Sequence, residues 1–222
     1  MFTFSLSGLE IKSSDNGPLE VEENETTSRS AVYMVLGKFF APVSAEQYDA
    51  ALNDHLSKEI KDGASLLSFE FDTGNPKLSE GKSYEDYAGE YVRLFGDEKG
   101  SRLLASHDVA DKENVLAQVK RDYEYFGLGA NADLRPLDHL ATQCDFLQYL
   151  CFKEAATPSP RLKKSFQRAQ RDFLQHYLID WVPVLASEVE AKTPIEPFNW
   201  AILTLKNFVA LDYDYISKAL GG

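Results

Sequence analysis

Asp138 and His139 stand side by side in the run Leu134-Arg135-Pro136-Leu137-Asp138-His139-Leu140, just ahead of an apolar helix pattern that ends near Cys151. A carboxylate and an imidazole placed together could serve acid–base catalysis or a metal site. Neighbours on a helix project about 100° apart, so the pair cannot form the hydrogen-bonded dyad that activates a nucleophile. A metal-dependent hydrolase needs a further histidine at helical spacing, and His55, His107 and His176 supply none. The chain has no phosphate loop, no GxGxxG and no GxSxG. No catalytic residue, no metal site and no cofactor are therefore expected. A structural reading of the pair stands beside the functional one. An acid in the first helical turn interacts with the helix dipole by ~0.3–1 kcal/mol, and a half-buried imidazole can bond a backbone carbonyl.

The elements that must position these residues read as helices. After Thr26, Thr27 and Ser28, any of which can cap, Ala31, Val32, Val35, Leu36 and Phe39 follow the helical period until Pro42. Ser44-Ala45-Glu46-Gln47 opens a second helix as a capping box, with Tyr48, Leu52 and Leu56 on one stripe and Gly63 at its end. Residues 65–77 are turn-rich, punctuated by Gly74-Asn75-Pro76. From Ser79 the period returns, placing Tyr84, Tyr87, Ala88, Tyr91, Leu94 and Phe95 on one face until Gly96. A charged loop over 96–110 leads to a helix through Val115, Leu116, Val119, Tyr123 and Phe126, closed by Gly127-Leu128-Gly129. Pro136 suits the first turn of the next helix, which buries Leu140, Cys144, Leu147, Leu150 and Cys151. Thr157-Pro158-Ser159-Pro160 breaks it. A long successor through Phe166, Phe173 and Tyr177 kinks or ends at Trp181-Val182-Pro183, and a last helix runs from about Pro197 through Phe208. No alternating strand pattern is apparent. The expected fold is all-α, a bundle of about seven to nine helices.

Composition narrows the function classes. The 222 residues are 44% hydrophobic and 12% aromatic, enough for a substantial core. A net charge of -12 disfavours nucleic acid and anionic membranes as partners, because a phosphate-rich surface repels the chain on approach. Met1-Phe2-Thr3-Phe4-Ser5 does not begin a secretion signal and no apolar run approaches the ~20 residues that span a bilayer, so a cytoplasmic protein without membrane insertion is expected. Cys144 and Cys151 share one helix with about 10 Å of rise between them, which excludes a disulfide and leaves two buried thiols. Residues 1–25, polar, acidic and broken by Gly17-Pro18, read as a flexible arm. Residues 26–222 read as one all-helical domain in two halves, with 127–135 as a possible hinge.

Four fragments in order carry a family resemblance: Glu90-Tyr91-Val92-Arg93-Leu94-Phe95; Tyr123-Glu124-Tyr125-Phe126-Gly127-Leu128; Pro136-Leu137-Asp138-His139-Leu140 with Phe146-Leu147; and Phe173 to Leu185 with Phe198-Asn199-Trp200-Ala201 and Phe208 to Asp212. They are similar to the TorD/DmsD/NarJ family of cytoplasmic chaperones for molybdenum-containing redox enzymes. Arg135 replaces the acid that many relatives carry, and Gly96-Asp97-Glu98-Lys99-Gly100 replaces a proline-rich aromatic segment, which places the chain nearer the NarJ-like members.

The resemblance implies a TorD-like helical fold and a non-enzymatic role: binding the twin-arginine signal peptide or N-terminus of a molybdopterin oxidoreductase catalytic subunit. It further implies that Tyr91, Leu94 and Phe95 line an apolar wall, with Pro136, Asp138 and His139 at a polar end where Asp138 accepts from a client arginine. Periodicity alone reads the three apolar residues as core. A monomer with a possible domain-swapped dimer is expected. The alternatives are a generic helical interaction module, in which Asp138-His139 is structural, and a metal-dependent hydrolase.

Overall fold

A computed structural model describes residues 2, 3, 6, 9–11, 20–52, 55–74, 83–98, 100–107, 109–130, 135–192 and 194–221. Among them are nine α-helices: α1 (Glu25–Phe40), α2 (Ala45–Leu52), α3 (His55–Ala64), α4 (Tyr84–Phe95), α5 (Lys112–Tyr125), α6 (Leu140–Ala156), α7 (Pro160–Tyr177), α8 (Trp181–Ala191) and α9 (Glu196–Ala219). The all-α bundle expected from the periodicity is what forms. None of these helices is long and apolar enough to cross a membrane.

α6 lies at the centre, with α1 against it along its length, α7 beside it, α3 on α1, and α9 closing on α7, α8 and α1. Fourteen of the seventeen residues of α6 are buried, Thr142, Gln143, Asp145, Gln148 and Glu154 among them. A helix enclosed on all sides has only the protein to partner its polar side chains, and the Gln148 side-chain amide finds no partner among the described residues. Asp145 takes Arg135 at 2.6 Å, Thr142 donates to the Pro136 carbonyl at 3.0 Å, and Glu154 accepts from Gln167 at 2.7 Å and Gln170 at 2.9 Å. Close approach of α1 and α6 depends on Gly37, where a β-carbon would come within 3.1 Å of Cys144 Cβ. Burial pushes both cysteine thiols well up, so neither is a ready nucleophile.

Several boundaries differ from the sequence reading, each for a local reason. α1 starts earlier, at Asn24, whose side chain accepts from the Thr27 amide while Thr27 Oγ1 takes the Asn24 N–H. The single helix expected from Ser44 to Gly63 is two, α2 and α3. Trp181-Val182-Pro183, expected to end α7, instead begins α8: Pro183 sits in the first turn, where a missing N–H costs nothing.

Pro136 does not open α6. It precedes a turn over Leu137 and Asp138, and the helix starts at Leu140 with His139 as its N-cap. The carboxylate of Asp138 therefore lies outside the first helical turn, and a dipole rationale for it does not apply.

Four short strands were not expected: β1 (Phe2–Thr3), β2 (Leu9–Ile11), β3 (Glu20–Val21) and β4 (Leu128–Ala130). β1 pairs with β3, and β2 pairs antiparallel with β4 in the register Leu9 to Ala130 and Ile11 to Leu128. The N-terminal segment thus lies on the connector that the sequence suggests as a hinge. Two or three residues are too few to show an alternating pattern. The Gly17-Pro18 break, Asn75-Pro76 and residues 131–134 fall outside the described residues.

Candidate functional site

α4 carries two adjoining apolar stripes. Tyr87, Tyr91, Leu94 and Phe95 face inward and are buried. Phe198 of α9 lies 4.6 Å from the Tyr87 ring and 5.8 Å from that of Phe95, and Tyr91 donates to the Phe40 carbonyl at 3.0 Å. Burial pushes the phenols of Tyr87 and Tyr91 well up, so both stay neutral. The second stripe, Tyr84, Ala88 and Val92, repeats every four residues along the outer surface, where Val92 is 38% exposed. The sequence reading merged the stripes. The neighbours of α4, not its own period, separate them.

The helix is fixed at both ends. Ser83 and Asp86 form a capping box. Gly96 caps the C-terminus with φ of 100°, and the Lys192 ammonium donates to the Leu94 carbonyl at 2.7 Å. Below it, Glu90 accepts the Ile195 amide at 3.0 Å and holds the start of α9.

The outer stripe lines a groove of about 710 Å³ whose opposite side is Pro42 and Val43 of the α1–α2 turn, with Tyr91 and Glu98 also on its surface. Pro42 is shared with a second, open groove of about 980 Å³ between the end of α1, α2 and α3, where Glu46, Asp49 and Glu59 outnumber Lys38. Lys38 is bound to Glu59 at 3.1 Å. An apolar trough thus leads into a negatively charged one.

The sequence-derived site residues divide. Tyr91 borders the groove but, at 1% exposure, belongs with Leu94 and Phe95, 1% and 0% exposed, to the floor beneath it. Pro136 is exposed and does not line the groove. Asp138 and His139 are 1% and 0% exposed, with polar atoms committed to the protein. Asp138 Oδ2 accepts the Ser106 amide at 2.9 Å, and its carbonyl accepts from Ala105 and Gln143. His139 Nδ1 accepts the Ala141 amide at 3.2 Å, which caps α6, and its backbone bridges to Leu104. Together the pair fastens the 100–107 loop across the start of α6.

Gly100 joins the two groups. Its φ is +70°, and a β-carbon there would meet Tyr91 Oη at 2.5 Å, Leu103 Cδ1 at 2.9 Å and His139 Nε2 at 3.0 Å. Gly100→Ala is therefore expected to lower stability by about 2–4 kcal/mol through left-handed backbone strain and overpacking, read from the urea midpoint. Sequence reasoning missed Gly100, Val92, Pro42 and Glu98. The only available signal was apolar residues four apart that exceed what one buried face needs.

A family model described as nitrate reductase delta subunit matches residues 46–187. The chlorate reductase assembly chaperone protein of Ideonella dechloratans is 32% identical over 126 residues, 54% of this chain and 65% of that protein. The selenate reductase assembly chaperone protein of Thauera selenatis is 31% identical over 116 residues, covering 49% and 60%. The chaperone protein TorD of Photobacterium profundum is 23% identical over 127 residues, covering 57% and 55%. The chain spans less than two thirds of the length of these curated relatives.

Proposed function

As the chain belongs to the nitrate reductase delta subunit family, the TorD/DmsD/NarJ group, we propose that it is an assembly chaperone for a molybdenum-containing oxidoreductase. It binds the twin-arginine signal peptide or N-terminus of the catalytic subunit and holds it during maturation and cofactor insertion, before export. It works in the cytoplasm and leaves the peptide chemically unchanged.

The observation that carries this reading is the outer groove of α4. A leader of this kind presents guanidinium groups beside an apolar, helix-forming stretch, so its receptor needs an apolar trough with carboxylates at hand. Tyr84, Ala88 and Val92 offer the trough, Glu98 lies on its edge, and the Glu46, Asp49 and Glu59 groove adjoins it at Pro42. The net charge of -12 draws a cationic peptide in. Tyr91 is the family-motif residue that borders the trough. Leu94 and Phe95 pack alongside it, and Asp138 and His139, which follow Pro136, fasten the loop between α4 and α5 against the start of α6.

Titration calorimetry with a synthetic peptide bearing two adjacent arginines and an apolar helical stretch tests the proposal. Binding that weakens as salt rises, and that is lost when both arginines become glutamine, is the expected result. No heat with the arginine peptide, or equal affinity for the glutamine peptide, would overturn it. Residues 127–135 then serve as the joint between halves, and exchange of halves requires release of β2 from β4. Light scattering across a concentration series should show a monomer with a minor dimer.

A further inference from the structure

The first two-thirds of α7 are the reverse of the rest of the chain. From Pro160 to Arg171 there are five cations, Arg161, Lys163, Lys164, Arg168 and Arg171, and no acid, in a protein of net charge -12. Arg161, Lys164, Arg168 and Arg171 are three or four residues apart and so share one helix face over about 15 Å. Arg161, Lys163, Lys164 and Arg168 are exposed. Among the described residues these four form no ion pair, and only Arg171 is engaged, with Asp172 at 2.6 Å.

Nothing in the stability of α7 calls for this arrangement. Like charges one turn apart repel, and cations near a helix N-terminus oppose its dipole. A local rule broken without a compensating contact points to function.

We infer that this face of α7 is a docking surface for an acidic helical segment of a partner protein. Carboxylates three and four residues apart would pair with the row formed by Arg161, Lys164, Arg168 and Arg171. A cationic leader is repelled by the stripe, so the surface serves a different segment from the one proposed for α4. The two are built on separate elements, since α7 packs on α6 and α9. A bilayer fits less well. The cationic strip is one helix wide, and an anionic lipid surface would repel the acidic chain around it.

The full-length protein would be titrated into a fluorescein-labelled synthetic alanine-rich helix with glutamates at three- and four-residue spacing, and anisotropy recorded. Salt-sensitive binding is expected, weakened roughly tenfold or more in R161Q/K164Q/R168Q. Because that variant removes self-repulsion from exposed positions, its thermal midpoint should not fall. Its affinity for the arginine leader should also be unchanged, which separates this inference from the proposed function. No binding of the acidic helix, or equal binding by wild type and variant, overturns it. So does co-sedimentation of the wild type, but not the variant, with phosphatidylglycerol vesicles in the absence of acidic-helix binding.

Discussion

Arg29→Met is expected to cost about 3–5 kcal/mol of folding stability, the range for removing one member of a buried ion pair. Arg29 is 1% exposed within α1. Its guanidinium bonds Asp212 of α9 through two nitrogens, Gln170 of α7 through Nη2, and Glu154 of α6 through Nη1 at 3.4 Å. Tyr33 donates to Asp212 at 2.7 Å, and the Tyr215 ring lies 5.4 Å from the guanidinium carbon. Burial works against the charge, but Asp212 and Glu154 outweigh it, and the proton is held more tightly than in water. One cation thus serves two buried carboxylates on two helices. Methionine restores much of the volume and none of the charge, and both anions are left stranded. Urea denaturation should show a lower midpoint at unchanged slope. The double variant R29M/D212L should recover part of the loss, because well-packed apolar residues can replace a buried pair at little cost. If R29M matched the wild type, the cluster would contribute nothing net to stability.

That cluster marks what the sequence could and could not convey. The periods of α1, α4, α6 and α7 are legible because a buried helix face repeats locally. Arg29 interrupts the apolar stripe of α1 and could have been noticed, yet its partner is 183 residues away, beyond any local pattern. Asp138 and His139 stand out in the sequence, and both are buried. Their orientation was not legible, because it depends on the 100–107 loop, whose Ser106 amide reaches the carboxylate across 32 residues. Pro136 reads as a first-turn residue of α6 although the helix starts four residues later, at Leu140, because proline is as good a turn residue as a first helical residue. The outer stripe of α4 was hidden by its own regularity: Tyr84, Ala88 and Val92 fit a core pattern as well as a groove, and only the α1–α2 turn decides between them.

Contact and support in the proposed site can be told apart with two variants. Val92→Glu places a carboxylate in the apolar trough at an exposed position, where surface substitutions shift stability by about 0.5 kcal/mol or less. Affinity for the arginine leader should fall about 10- to 100-fold, since the apolar stretch loses its seat and a charge is buried on binding. Asp138→Ala acts differently. It strands the buried Ser106 amide, at ~1–3 kcal/mol of stability, and loosens the loop that runs from Gly100 beneath Tyr91 to the start of α6. Its effect on leader affinity should follow its effect on the loop. Calorimetry and thermal melts on both proteins separate the cases. A Val92→Glu protein that binds the leader normally, beside an Asp138→Ala protein that melts normally but no longer binds, would move the contact from the trough to the carboxylate. The buried position of Asp138 would then have to open for the peptide.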